Sequence, residues 1–451
     1  MTTGFKMSAD NERTEFSMAA KWRPLVLAML VIALLLRILA AIVIERHVQD
    51  AGRQFLIEGD SNGYWILAQK IAAGEDYEIY TPPRRVLRMP GFPLLLAGSI
   101  RLFGDRIFAA RIVLAFVGTA CCWLTYLLGT RLVMRRVGFW AALFVAVNPL
   151  HVGNSVIILS ETWFTFWMLL SLLALTGLLQ AGQEGCSIVT GNALPHSLAG
   201  KTCAWRLWLR AILVGGLIGA ASLVRPGFLP WLAFCFLAVT ILVRRSFPAR
   251  VVIATGLLIG CGLAMLPWTL RNVAVTGHWV VTSLWSGPSL YDGLNPEATG
   301  ASDMQFFDRE NVLSKMSEFE MNRHYKDRAV DFVKNHLGRA VELAFVKAVR
   351  FLNPVPNQLN SNRVIQGLCI IWYVAFLLLL VGAVWSRLLD MEGWVVVLGP
   401  FLLFLLVHMV FVGSVRYRLP VEFPMSVQAA CGLRWLLNLR TQGTEMEKTV
   451  N

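Results

Sequence analysis

The residues with most chemical promise lie in short polar stretches beside long apolar ones. Asp60 sits in Glu58-Gly59-Asp60-Ser61-Asn62-Gly63-Tyr64-Trp65, just after the first apolar run. A carboxylate at that place can take a proton from an attacking hydroxyl, the work of a general base. A structural role is equally open: Asp60 or Ser61 would make a good N-cap for a helix over Ser61–Ala73 that stops at Gly74. Glu161, in Leu159-Ser160-Glu161-Thr162, heads an apolar and aromatic stretch. The helix dipole stabilises a carboxylate there, and an ionisable group near membrane depth is also a functional candidate.

Arginines recur in the same kind of place. Arg88 belongs to Arg84-Arg85-Val86-Leu87-Arg88-Met89-Pro90-Gly91-Phe92-Pro93. Arg225 precedes Pro226-Gly227, Arg271 follows Pro267-Trp268-Thr269-Leu270, and Arg416 and Arg418 flank Tyr417 before Leu419-Pro420. The planar guanidinium fork matches phosphate oxygens, so these five are candidates for binding a phosphate. Headgroup binding and snorkelling at span ends are the alternative uses of the same residues.

Long apolar elements must position these groups. The chain has 451 residues, 56% hydrophobic and only 15% charged, against roughly 25% charged in soluble domains. Its mean hydropathy is +0.58. The expected fold class is an all-α polytopic membrane protein. Ten spans are predicted, near 24–44, 105–134, 138–153, 158–180, 208–225, 228–244, 250–270, 364–386, 393–413 and 418–438. Gly91–Phe103 is too short to cross and reads as a juxtamembrane helix.

Basic residues set the orientation. With the N-terminus in the cytosol, Arg131, Arg135, Arg136, Lys201, Arg206, Arg210, Arg244, Arg245, Arg250, Arg387, Arg434 and Arg440 all fall inside. Two long loops, 45–104 and 271–363, then face outward on the side of Asp60, Glu161 and the five arginines. The organisation follows: a cytosolic tail at 1–23, a core at 24–270 holding the first outer loop, the loop 271–363, the last spans at 364–438 and a cytosolic tail at 439–451. Within the second loop, Asp331–Leu352 places Phe332, Leu337, Val341, Phe345 and Leu352 near one face and reads as one helix on the membrane surface.

The net charge of +13 lies largely in loops between spans and does not point to nucleic acid. The eight cysteines show no metal-ligand spacing; Cys121, Cys122, Cys235, Cys261, Cys369 and Cys431 read as buried inert thiols, and Cys186 and Cys203 share one loop. His151 beside Glu161 is a thin basis for a metal site. No cofactor is implied by any motif, and a divalent metal is left open.

The first-loop Asp60, the turn Arg88-Met89-Pro90-Gly91-Phe92-Pro93 and Leu159-Ser160-Glu161-Thr162 together resemble the GT-C glycosyltransferases. The likeness is to the bacterial branch near the protein O-mannosyltransferases and the aminoarabinose transferase of lipid A. Pro267-Trp268-Thr269-Leu270-Arg271-Asn272, Asn295-Pro296 and Arg416-Tyr417-Arg418-Leu419-Pro420 add to it, so that it covers about 24–438. The resemblance implies an inverting transfer of a sugar from a polyprenyl-phosphate donor to a protein, lipid or glycan acceptor. It implies that Asp60 is the catalytic carboxylate of the first loop and Glu161 the second acid. Arg88 lies near a lysine of the aminoarabinose transferase, whose metal-binding pair has no clear counterpart here. The expected setting is the cytoplasmic membrane, with the active site facing outward among membrane lipids. Competing expectations are a transporter or flippase of a lipid-linked anion, which calls for inverted repeats and charges at the midplane, and a scaffold without chemistry.

Overall fold

The computed structural model describes residues 9–183, 196–243, 246–355 and 363–450, so that Cys186, Arg244 and Arg245 lie outside the described residues. Among these the chain forms eighteen α-helices and no strand, with one isolated bridge between Ile79 and Arg84. Helix α1 (Ala9–Asp50) leads into a loop that holds α2 (Glu58–Ala73) and α3 (Gly91–Phe103). Next come α4 (Ile107–Leu132), α5 (Arg135–Val147), α6 (Pro149–Asn154) and α7 (Glu161–Gln183). The helices α8 (His196–Val224), α9 (Trp231–Leu242) and α10 (Phe247–Thr276) complete the first part. The second long loop folds into α11 (Ser286–Gly293), α12 (Gln305–Glu310), α13 (Val312–Lys315), α14 (Glu318–Asn335) and α15 (Leu337–Leu352). The chain closes with α16 (Arg363–Ser386), α17 (Met391–Val410) and α18 (Val415–Val450).

Seven of these helices, α1, α4, α7, α8, α10, α16 and α17, contain stretches long and apolar enough to cross a bilayer. This is a multi-pass membrane protein. Ten spans are predicted from sequence, and the other three fall on helices of a different kind. Helix α5 ends at Val147 because Asn148-Pro149 starts a new turn, with the Asn148 side chain accepting from Leu150 N. Helix α9 is likewise short. Helix α18 is long, but its buried stretch carries Arg418, Glu422, Ser426 and Gln428.

Charges inside the bundle are absorbed by open backbone carbonyls, which helix ends leave without partners. Arg37, fully buried in α1, donates to Val145 O and Ala146 O at the end of α5, both at 3.3 Å. Arg111 of α4 pairs with Glu45 at 3.0 Å and donates to Val156 O. Helices α8 and α10 touch backbone to backbone: a Cβ on Gly215 would lie 2.1 Å from Leu257 O. Such close approach between spans requires small residues.

The two long loops lock into one cap. The Glu318 carboxylate accepts from the N–H groups of Arg85 and Val86, each at 2.9 Å. Arg84 donates to the carbonyls of Leu313 and Met316 at 2.6 and 2.8 Å. Leu67, Ile79 and Leu87 of the first loop share a core with Tyr291, Met321 and Tyr325 of the second. The helix expected over Asp331–Leu352 is in fact two, broken at His336. Phe332 is buried in the cap, whereas Leu337, Val341, Phe345 and Val349 of α15 form an exposed apolar stripe.

Candidate active site

Asp60 lies in the first turn of α2, which begins at Glu58 with Ile57 in the capping position. The N-cap reading of Asp60 and Ser61 is therefore corrected. The Ser61 hydroxyl instead donates to Ile158 O at 2.9 Å, which ties the start of α2 to the segment entering α7. Gly74 ends α2 in the left-handed conformation, φ 77°, as its position implies.

The Asp60 carboxylate is gripped from both sides. Its Oδ1 accepts from Arg88 Nη1 at 3.1 Å and its Oδ2 from Arg416 Nη2 at 2.7 Å. Arg416 reaches further: its Nε lies 2.6 Å from Glu161 Oε1, and the same oxygen lies 3.1 Å from Arg225 Nη1. Arg88, Asp60, Arg416, Glu161 and Arg225 thus form one row of alternating charge. Glu161 is 1% exposed, whereas the Asp60 side chain is one-third exposed, so the row opens to solvent at Asp60.

Each member is held by a neighbouring element. The Tyr77 hydroxyl donates to the carbonyls of Arg88 and Met89. Trp163 Nε1 of α7 donates to Gly91 O at 3.0 Å. Aromatic faces lie under the cations: Tyr64 under Arg88 at 4.7 Å, and Tyr417 under both Arg225 and Arg416 at 5.0 Å. Gly63 faces Arg88 so closely that a Cβ there would lie 2.8 Å from its Nε.

Burial pushes the Asp60 carboxyl upward, but the charges of Arg88 and Arg416 outweigh it and hold the group well below the ordinary carboxylate range. Burial works against the Arg88 charge in turn, and Asp60, then Tyr64, raise it above the usual arginine value. The row holds two carboxylates among three guanidiniums, and as it stands Arg88 and Arg416 keep Asp60 ionised and weakly basic.

Two of the five candidate arginines go elsewhere. Arg271 donates to Arg85 O and Tyr77 O at 2.9 and 3.0 Å and stacks on Tyr77 and Trp268. It fastens the first loop. Arg418 is buried against Glu422 at 2.5 Å and donates to Phe351 O and Asn353 O, both at 2.8 Å. Neither makes an ion pair with Asp60 or Glu161 among the described residues. His151 turns to Glu422, Nε2 to Oε2 2.7 Å, and not to Glu161. No three His, Cys, Asp or Glu side chains gather as a metal site among the described residues. Tyr64, Tyr77, Tyr417 and Gly63 were not singled out by sequence reasoning. The Arg-Tyr-Arg run at 416–418 is the signal that could have pointed to Tyr417.

No family model matches the sequence, and no curated protein matches it either. Solved structures do. The archaeal oligosaccharyltransferase AglB from Archaeoglobus fulgidus, in complex with an inhibitory peptide and a dolichol-phosphate, superposes at a TM-score of 0.52 over 95% of this chain, with 15% identity. This chain has the GT-C fold. The apo form of the Archaeoglobus fulgidus oligosaccharyltransferase gives the same TM-score over 94% of the chain. The chain spans about half the length of these proteins, 52% in each case. ArnT from Cupriavidus metallidurans bound to undecaprenyl phosphate is similar at a TM-score of 0.41 and 15% identity, over 92% of this chain and 78% of that one. Within this fold the charged row lies where the first loop, α7, the end of α8 and the start of α18 converge.

Proposed function

We propose that the protein is an inverting glycosyltransferase that takes a sugar from a polyprenyl-phosphate donor at the outer face of the cytoplasmic membrane. The single observation that carries this reading is the pairing of Asp60 with Arg88 and Arg416, continued through Glu161 to Arg225. The GT-C fold supports it, since AglB is an oligosaccharyltransferase solved with a dolichol-phosphate.

The chemistry follows from the charges. An acceptor hydroxyl attacks the anomeric carbon, the bond from that carbon to the phosphate oxygen breaks, and the phosphate leaves with the electron pair. Asp60 takes the hydroxyl proton. Arg88, Arg416 and Arg225 meet the growing negative charge on the phosphate, a preorganised electrostatic contribution. Incoming phosphate oxygens compete with both acids for the same guanidinium donors. Engagement of Arg416 by the donor therefore loosens its hold on Asp60 and restores basicity to the carboxylate. Glu161, buried behind Arg416, keeps that guanidinium facing the site.

Purified protein in liposomes, offered radiolabelled polyprenyl-phosphate sugars and, separately, nucleotide sugars, with a membrane extract as acceptor, tests the reading. Label passing to an acceptor from the lipid-linked donors supports it. Transfer only from nucleotide sugars contradicts it.

A further inference from the structure

Arg416 and Arg418 stand two residues apart at the start of α18 and so face opposite ways. Arg416 meets the acids, whereas Arg418 lies over the Tyr373 ring of α16 at 3.9 Å. Beyond Arg418 lies a cavity of about 230 Å³ walled by α16, α17 and α18. Leu380, Phe401 and Met425 are among its apolar walls, and Arg418, Glu422 and Gln428 are its polar residues.

Two lining residues carry buried atoms without partners among the described residues: Arg418 Nη2 and Gln428 Oε1. Arg418 is 1% exposed and Gln428 6%. An unpaired buried polar atom is costly, about 1–3 kcal/mol and more when charged. The two residues are ten positions apart along α18, or roughly 15 Å. The lining thus runs along α18 from Arg418, which carries an unsatisfied donor and also borders a smaller space beside Asn148 and Trp372, to Gln428, which carries an unsatisfied acceptor.

The apolar walls exclude a sugar. An apolar cavity of about 150 Å³ accepts benzene, so this one holds a short length of a single unbranched chain. Leu377, which also lines it, and its neighbour Leu378 are 41% and 65% exposed, as is Leu406 of α17 at 57%. In a multi-pass protein such surfaces meet lipid, which gives the space a side entrance from the bilayer.

We propose that this groove is a lipid site for one acyl chain of a bilayer phospholipid, with an ester or phosphate oxygen of that lipid accepting from Arg418 Nη2. The site is separate from the acid–arginine row and does not depend on the transferase reading. A water beside the chain completes Gln428 Oε1.

Photolabelling tests it. The full chain is placed in vesicles of phosphatidylethanolamine and phosphatidylglycerol with a trace of phosphatidylcholine bearing a diazirine on one acyl chain. Adducts are then mapped by mass spectrometry. We expect at least fivefold enrichment at Leu380, Leu398 and Phe401 over the outward-facing Leu258 and Leu263 of α10. Leu398→Trp, which fills the groove, removes the enrichment, and Leu263→Trp leaves it. Leu377→Phe, at the entrance, lowers it without touching the closely packed interior. Equal labelling of groove and reference residues overturns the proposal. So does enrichment that an equimolar polyprenyl phosphate abolishes, because the groove then belongs to that lipid instead.

Discussion

Asp60 and Arg416 are 356 positions apart in the chain and meet at 2.7 Å, carboxylate oxygen to Nη2. The contact joins the first loop to the opening turn of the last helix. The same guanidinium also stands 2.6 Å from Glu161, Nε to Oε1. A single side chain therefore fixes the relative placement of the two acids.

Arg416→Lys tests that bridge. A lysine is a point charge and cannot address two carboxylates along a planar fork. Turnover should fall about 10²–10³-fold, the range for removal of one preorganised donor, with the protein still folded by size-exclusion chromatography and circular dichroism.

Glu161→Gln separates charge from shape. Glu161 is almost fully buried between Arg416 and Arg225, and removing one partner of a buried ion pair costs about 3–5 kcal/mol. Thermal unfolding in detergent should show a clear drop in Tm. In a double-mutant cycle with Arg225→Gln the two losses should fall short of adding, because Glu161→Gln already takes away the acid that Arg225 faces, while Arg225→Gln leaves Glu161 with Arg416.

Gly63→Ala is a gentler probe. A Cβ at this site lies 2.8 Å from Arg88 Nε and so displaces the guanidinium from Asp60, while alanine favours the helix by about 0.5–1 kcal/mol. The helix gain offsets part of the weakened Arg88–Asp60 pair, so Tm should stay within a few degrees of wild type. Activity should nonetheless fall by on the order of 10²-fold, as displacement of a positioned group does. Equal activity would mean that Arg88 is not needed where it stands.

Lys347 supplies a pH signature away from the site. Burial presses its ammonium down to about 8, against a partial opposing pull from Asp292, and its Nζ donates to Val410 O at 2.7 Å. The unfolded chain holds that proton up to about 10.5. Between those values the unfolded state binds more protons, so stability rises with pH, and the burial penalty is fully present only below about pH 8. The Tm of Lys347→Met relative to wild type should therefore be more favourable at pH 7 than at pH 10.

Much of this arrangement is legible in one dimension because charge beside long apolar runs stands out. Asp60, Glu161, Arg88, Arg225 and Arg416 were singled out on that basis, and the fold brings their side chains together. Arg271 looks no different in sequence, because its partners are backbone carbonyls that no residue type announces, whereas Arg418 has its acid, Glu422, one helical turn further on. The Asp60 cap failed because α2 already begins at Glu58, with Ile57 in the capping position, and the Asp60 carboxylate turns to Arg88 and Arg416 instead of to backbone N–H groups. The brevity of α5 depends on Asn148-Pro149, which hydropathy averages away, and the break at His336 falls inside a stretch whose apolar spacing runs on unbroken.

The most direct measurement is transfer by Asp60→Asn beside wild type, in liposomes with a donor that the wild type uses. Asparagine keeps the shape and loses both the charge and the capacity to take a proton. A general base at Asp60 predicts a loss of at least 10²-fold in turnover with donor binding retained. Turnover within a few-fold of wild type in a folded Asp60→Asn protein would contradict it and move the base to another group.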